Sequence, residues 1–110
     1  LTLRDLIKQE TAGLLEIEKL GPHIAAERLV ALTALMASLC AEIASKRAVY
    51  TKVRLDCLNT SKSAVEAKIR SEATLEFNEW IEREEMRKAL IEIGRSIKYY
   101  LRVCEDEMKL

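Results

Sequence analysis

Asn59-Thr60-Ser61-Lys62-Ser63 (N-T-S-K-S) is the one cluster of turn-forming residues between two long stretches of helical periodicity in this chain. Small polar side chains compete with the backbone for its hydrogen bonds, so such a cluster favours a turn over helix. Directly after it, Ser63-Ala-Val-Glu66 reads as a capping box: the serine accepts from an early N–H of a new helix and the glutamate reaches back. The spacing therefore predicts a helix ending near Leu58, a turn over 59–62, and a helix over 63–109. Those three pieces make a long antiparallel helical hairpin.

Upstream of the turn, Leu29, Leu32, Met36, Leu39, Ile43, Tyr50, Val53 and Cys57 recur at helical spacing, with Lys46 as the polar interruption. They predict a helix over 22–58. A second stripe lies about 135° away on the same helix and is made of Val30, Ala34, Ala37, Ala41, Ala44 and Ala48. A helix with one large-residue face and one alanine face calls for neighbours on both sides. Before it, Thr2 and Asp5 form a capping-box pair, and Leu3, Leu6, Ile7, Leu14, Ile17 and Leu20 predict a helix over 2–20. Gly21-Pro22 ends that helix and opens the next, leaving two courses open: a fold-back, or continuation after a kink.

Downstream, Ile69, Ala73, Phe77, Trp80 and Ile81 share one helical face. Leu90, Ile93, Ile97, Tyr100, Cys104 and Met108 lie roughly opposite. Between the two sets, Glu76–Lys88 carries eight charges in thirteen residues. Either this segment and Gly94 bend the helix, or its halves meet different partners. The expected fold class is all-α: a helical hairpin with an additional N-terminal helix, a coiled-coil-like bundle forming a single domain over 1–110. Composition agrees. Of 110 residues, 49% are hydrophobic and 33% charged, five are aromatic, and one proline and three glycines leave little to punctuate a sheet.

Net charge is zero but unevenly spread: residues 1–45 carry −2, residues 46–70 carry +5, and residues 71–110 carry −3. The positive block is Lys46, Arg47, Lys52, Arg54, Lys62, Lys68 and Arg70, gathered about the hairpin tip. Such a cluster suits a phosphate backbone. It also suits the dipole at the end of the long helix, although Lys62, Lys68 and Arg70 sit where a helix start prefers acids. Tyr50 alone interleaves these cations, too little for stacking on unpaired bases.

Catalytic chemistry finds no foothold. Glu79, Glu82, Glu84 and Glu85 flank Trp80, yet a bundle metal site needs Glu-x-x-His pairs, and the single histidine, His23, follows a proline at a helix start. Glu79–Arg83 and Glu84–Lys88 have the spacing of i,i+4 pairs on a solvated face. No glycine-rich phosphate loop or nucleophile motif occurs. Three cysteines, Cys40, Cys57 and Cys104, without a C-x-x-C, read as free thiols of a reducing compartment. Of these, Cys57 lies nearest the positive tip. No enzyme, cofactor or metal is expected.

The longest uncharged run, Leu29–Ala41, has thirteen residues, short of the roughly 18 that a bilayer span needs. It predicts a buried core helix and a cytoplasmic protein that engages no membrane. The first residues also lack the basic-then-apolar order of a signal peptide.

Tyr50, the polar turn, S-K-S-A-V-E-A-K-I-R (Ser61–Arg70), the acidic stretch and R-K-A-L (Arg87–Leu90) together resemble short helical proteins encoded by tailed bacteriophages and prophages. The resemblance covers about residues 45–108. It implies a helical-hairpin accessory protein from the neighbourhood of recombination or replication genes, and it brings no catalytic residues with it. The function expected is a non-enzymatic interaction module acting by protein–protein binding. The alternative is a nucleic-acid-binding accessory factor using the basic tip. Because a hairpin partner covers only one face of the long helix, at least a homodimer is expected. Its interface candidates are Ala37, Ala41, Leu90, Ile97, Tyr100 and Met108.

Overall fold

The computed structural model describes residues 2–14 and 17–109. Every regular element among them is helical: α1 (Leu3–Leu14), α2 (Ile17–Thr60), α3 (Ala64–Glu72) and α4 (Leu75–Lys109). The protein is all-α, and its long α2 packs with the other helices.

The capping box at the start of α1 forms reciprocally. Thr2 N–H donates to Asp5 Oδ2 and Asp5 N–H donates to Thr2 Oγ1, each at 3.2 Å. The hydrogen bond from the Thr2 backbone holds the Asp5 carboxyl below its usual range. In the predicted helix over 2–20, residues 15–16 and the stripe positions Leu14, Ile17 and Leu20 lie outside the described residues and side chains. Gly21 interrupts α2 with φ 84° and ψ 167°, a conformation that L side chains rarely adopt. Pro22 follows in the first turn beyond it.

Helix α1 folds back rather than continuing after a kink. The Arg28 guanidinium reaches Glu10 at 3.5 Å. In one straight helix those residues would stand about 27 Å apart. Arg28 also crosses α1 at Gly13, where an added Cβ would run into its guanidinium. Ile7 of α1 and Ala25 of α2 are both buried.

Packing resolves the predicted single domain into two compact units that share α2 and α4. The first comprises Leu1–Leu39 with Met86–Leu110, and the second Cys40–Glu85. The physical reason is length. The part of α2 after Gly21 is about 60 Å long, far beyond the roughly 13 Å radius of gyration of a compact 100-residue domain, so one core cannot line it. The first unit is closed by Ile7, Ala25, Leu32, Leu39, Leu90, Ile93 and Ile97, and the second by Ile43, Tyr50, Cys57, Ala67 and Ser71. All members of the predicted large-residue stripe of α2 are buried or half-buried.

One expectation is corrected, and the chain by itself leaves the alanine face open. The stretch Leu29–Ala41 is not a buried core helix: within it only Leu32 and Leu39 are buried, and Val30 is 72% exposed. Ala34, Ala37, Ala41, Ala44 and Ala48 are all exposed, because α1 packs elsewhere and no described residue covers the alanine face. Among the described residues, Gly21–Thr60 is also the one helix long and apolar enough, by length and composition, to cross a membrane. Arg28 and Glu42 flank the uncharged run, and a span tolerates a charge near each end, which a count of uninterrupted apolar residues overlooks.

The predicted helix over 63–109 is two helices. The Thr74 hydroxyl donates to the Ser71 carbonyl at 2.7 Å and accepts from Phe77 N–H at 3.3 Å, ending α3 and capping α4. This break resets the helical phase. The inward face of α3 becomes Ala67 and Ser71, while Ile69 is 66% exposed and Ala73 is exposed. Gly94, in contrast, lies within the unbroken α4, whose halves pack in different units.

The turn itself spans 61–63, and α2 runs to Thr60. Ser63, in extended conformation, accepts from Glu66 N–H at 3.1 Å, while Glu66 Oε2 accepts from Lys62 N–H at 3.3 Å. Ser63→Ala is expected to lower stability by about 0.5–2 kcal/mol in urea denaturation, with Lys62→Ala near neutral. Equal effects would mean that the cap is not what opens α3.

Candidate functional site

Three rings organise the second unit. Tyr50 stacks on Trp80 with centroids 5.3 Å apart and tilts against Phe77 at 5.1 Å, while Phe77 meets Trp80 edge-on at 6.1 Å. The Thr74 cap sets this up by starting α4 in the register that turns Phe77 and Trp80 toward α2. The Tyr50 hydroxyl lies 3.3 Å from the buried Ser71 hydroxyl, which donates to the Lys68 carbonyl at 3.1 Å. Phe77 and Trp80 thus belong to the packing of this unit.

Two members of the acidic segment, Glu79 and Arg83, turn toward α2, while Glu85 and Lys88 are exposed as expected of a solvated face. Lys46 Nζ donates to Glu79 Oε2 at 2.8 Å and Arg83 Nε donates to Glu42 Oε1 at 2.9 Å. These links take the place of the expected Glu79–Arg83 side-chain pair, and of Glu79 it is the backbone carbonyl that accepts from Arg83, at 3.1 Å. Tertiary partners outcompete the i,i+4 geometry because half-buried charges gain more from a fixed neighbour than exposed ones do. The Lys46 ammonium holds the Glu79 carboxyl below the usual glutamate range. The folded-state pKa is depressed, so this contribution is present at neutral pH and lost as pH falls through the folded value. Glu79→Gln is therefore expected to flatten the acid limb of the urea midpoint plotted against pH. An unchanged acid limb would show the pair to be neutral.

Of the seven basic candidates, three have structural employment. Lys46 is bound to Glu79. Arg47 lies 5.9 Å over the Trp80 ring, at the outer range of a cation–π contact. Arg70 donates to Thr60 Oγ1 at 3.0 Å and Ser61 Oγ at 2.8 Å, closing the turn. Lys52, Arg54, Lys62 and Lys68 are exposed, and their side chains make no ion pair among the described residues. Two residues apart on one helix, Lys52 and Arg54 project about 200° apart, so these cations encircle the tip and do not form one face.

The first unit carries a feature that the sequence did not announce. An open apolar groove of about 580 Å³ lies between α2 and α4, with Leu29, Thr33 and Ala37 on one wall and Ile91 and Gly94 on the other. Arg95 and Lys98 stand at its rim. A Cβ at Gly94 would meet nothing within 4 Å. Glycine in mid-helix was the only available signal, and it reads equally well as a bend.

The six interface candidates separate cleanly. Leu90 and Ile97 are 2% and 1% exposed inside the first unit, so the contact that pattern assigned to a second copy is made within the chain. Ala37 and Ala41 are exposed, Tyr100 is half-buried, and Met108 is 84% exposed. His23 is a surface residue 3.1 Å from Glu27. All three cysteines are free, with Cys40 exposed, Cys104 half-buried and Cys57 buried beneath the tip. Among the described residues, no three His, Cys, Asp or Glu side chains gather as a metal-binding group.

Comparison with protein-family models, with curated proteins and with solved structures finds no match to this chain.

Proposed function

We propose that this chain is a non-enzymatic helical interaction module that associates with itself and works by binding another protein. In this reading it is a cytoplasmic accessory factor of the phage or mobile-element kind that its turn resembles. One observation carries the reading: the apolar groove of the first unit, continuous along α2 with the exposed Val30, Ala34 and Ala37. Apolar surface gathered in this way marks a binding face more often than scattered exposed side chains do. Four of the charged groups around Trp80 are held in ion pairs, Lys46 with Glu79 and Arg83 with Glu42.

Light scattering coupled to gel filtration tests the self-association. At micromolar concentration the wild type is expected to be an oligomer. Ala37→Glu with Ala41→Glu is expected to be a monomer of unchanged helicity, since both positions are exposed within the chain and tolerate a charge there. A monomeric wild type overturns the reading, and flotation with liposomes would then point to a bilayer as the cover of the alanine face.

A second reading is nucleic-acid contact through the tip, supported by the exposed Lys52, Arg54, Lys62 and Lys68, which make no ion pair among the described residues. Electrophoretic mobility shift at two salt concentrations tests it, because phosphate contacts weaken steeply with salt. Lys52→Glu, Lys62→Glu and Lys68→Glu together are expected to abolish any shift. Arg70 is better left intact, as its bonds close the turn. Binding that survives the triple change removes this reading.

A further inference from the structure

We infer that the groove of the first unit receives α4 of a second copy, antiparallel, about a dyad at Leu101. The inference rests on the self-association proposed above and names its surface. Gly94, Lys98, Leu101, Glu105 and Met108 recur at three- and four-residue spacing and fall within about 40° of one another's mean direction on α4. The face they form adjoins the buried face of Leu90, Ile93 and Ile97.

Shape is self-complementary on this face. Gly94 leaves open space at the groove wall, and Met108, the most exposed large apolar side chain described in this unit, stands 84% free. Gly94 precedes Leu101 by seven residues and Met108 follows it by seven. An antiparallel pairing centred on Leu101 therefore sets Met108 of each copy into the opening at Gly94 of the other. A flexible thioether side chain suits an irregular apolar recess.

Charge is self-complementary in the same register. Lys98 lies three residues before Leu101 and Glu105 four after, so each ammonium faces the other copy's carboxylate, twice over. The pair available within one chain is a weak competitor: Glu105 with Lys109 at 3.3 Å, both side chains about 70% exposed. A parallel pairing would set Lys98 against Lys98 and leave the glycine opening unfilled. The other candidate occupants, a bilayer or a different protein's helix, share the apolar groove but do not explain this sign alternation about one point.

Charge reversal and swap test the register by sedimentation equilibrium. Lys98→Glu alone and Glu105→Lys alone each place like charges opposite one another and are expected to weaken self-association about tenfold or more. The double variant Lys98→Glu with Glu105→Lys restores opposite signs and is expected to recover wild-type association. Gly94→Leu fills the opening and is expected to abolish the dimer while leaving each chain folded, because a Cβ there meets nothing within 4 Å. Circular dichroism and urea midpoints confirm folding for every variant. An oligomeric wild type whose association ignores both reversals, or a swap that fails to recover it, overturns this register and leaves self-association standing. A monomeric wild type overturns both.

Discussion

Tyr50→Ala is expected to destabilise the protein by about 3–5 kcal/mol, the range for truncating a large buried aromatic side chain. The ring fills the centre of the second unit, against both Trp80 and Phe77, and it is 6% exposed. Removing it leaves those rings facing a cavity that neighbouring helices can close only by shifting. Tyr50→Phe separates packing from polarity. It keeps the stack and loses only the hydroxyl contact with Ser71, whose own bond to the Lys68 carbonyl remains. Its expected cost is about 0.5–1.5 kcal/mol. Urea denaturation followed at 222 nm reads both. Equal losses from the two variants would show that the ring cluster contributes little and that the hydroxyl contact dominates.

Leu90→Ala is expected to cost about 2–5 kcal/mol, the range for deleting a buried leucine side chain. The same experiment decides where that residue belongs. A side chain closed off within the first unit lowers the urea midpoint equally at every protein concentration. A side chain at a subunit interface makes the loss depend on concentration through mass action. The expectation is a concentration-independent loss for Leu90→Ala and a near-neutral protomer for Met108→Ala, since Met108 touches little within its own chain. A Leu90→Ala effect that disappears on concentrating the protein would return this position to the interface.

How much was legible beforehand follows the range of the forces involved. Helical class, the capping boxes at Thr2 and Ser63, the turn near residue 61 and the inward stripe of α2 depend on contacts within about four residues. Local hydrogen bonding and helical periodicity therefore suffice to read them. The break at Thr74 is equally local and yet is not legible, because a lone threonine amid helix-favouring residues looks the same whether it caps a helix or lies within one. Its omission misassigns the face of α3, since a two-residue interruption rotates everything before it.

Only the tertiary structure decided what each face meets. The alanine stripe of α2 and the Leu90–Ile97 stripe of α4 look alike as patterns, both apolar and both in search of a neighbour. Folding back α1 and pairing α4 with α2 buried the second and left the first exposed. Lys46, read as part of the basic tip, and Glu79, read as part of a solvated face, are partners because α2 and α4 bring them within 2.8 Å. The groove at Gly94 exists only between two helices. A glycine records the absence of a side chain, and the chain that must enclose the resulting space lies some sixty residues away in sequence, beyond the reach of any local pattern.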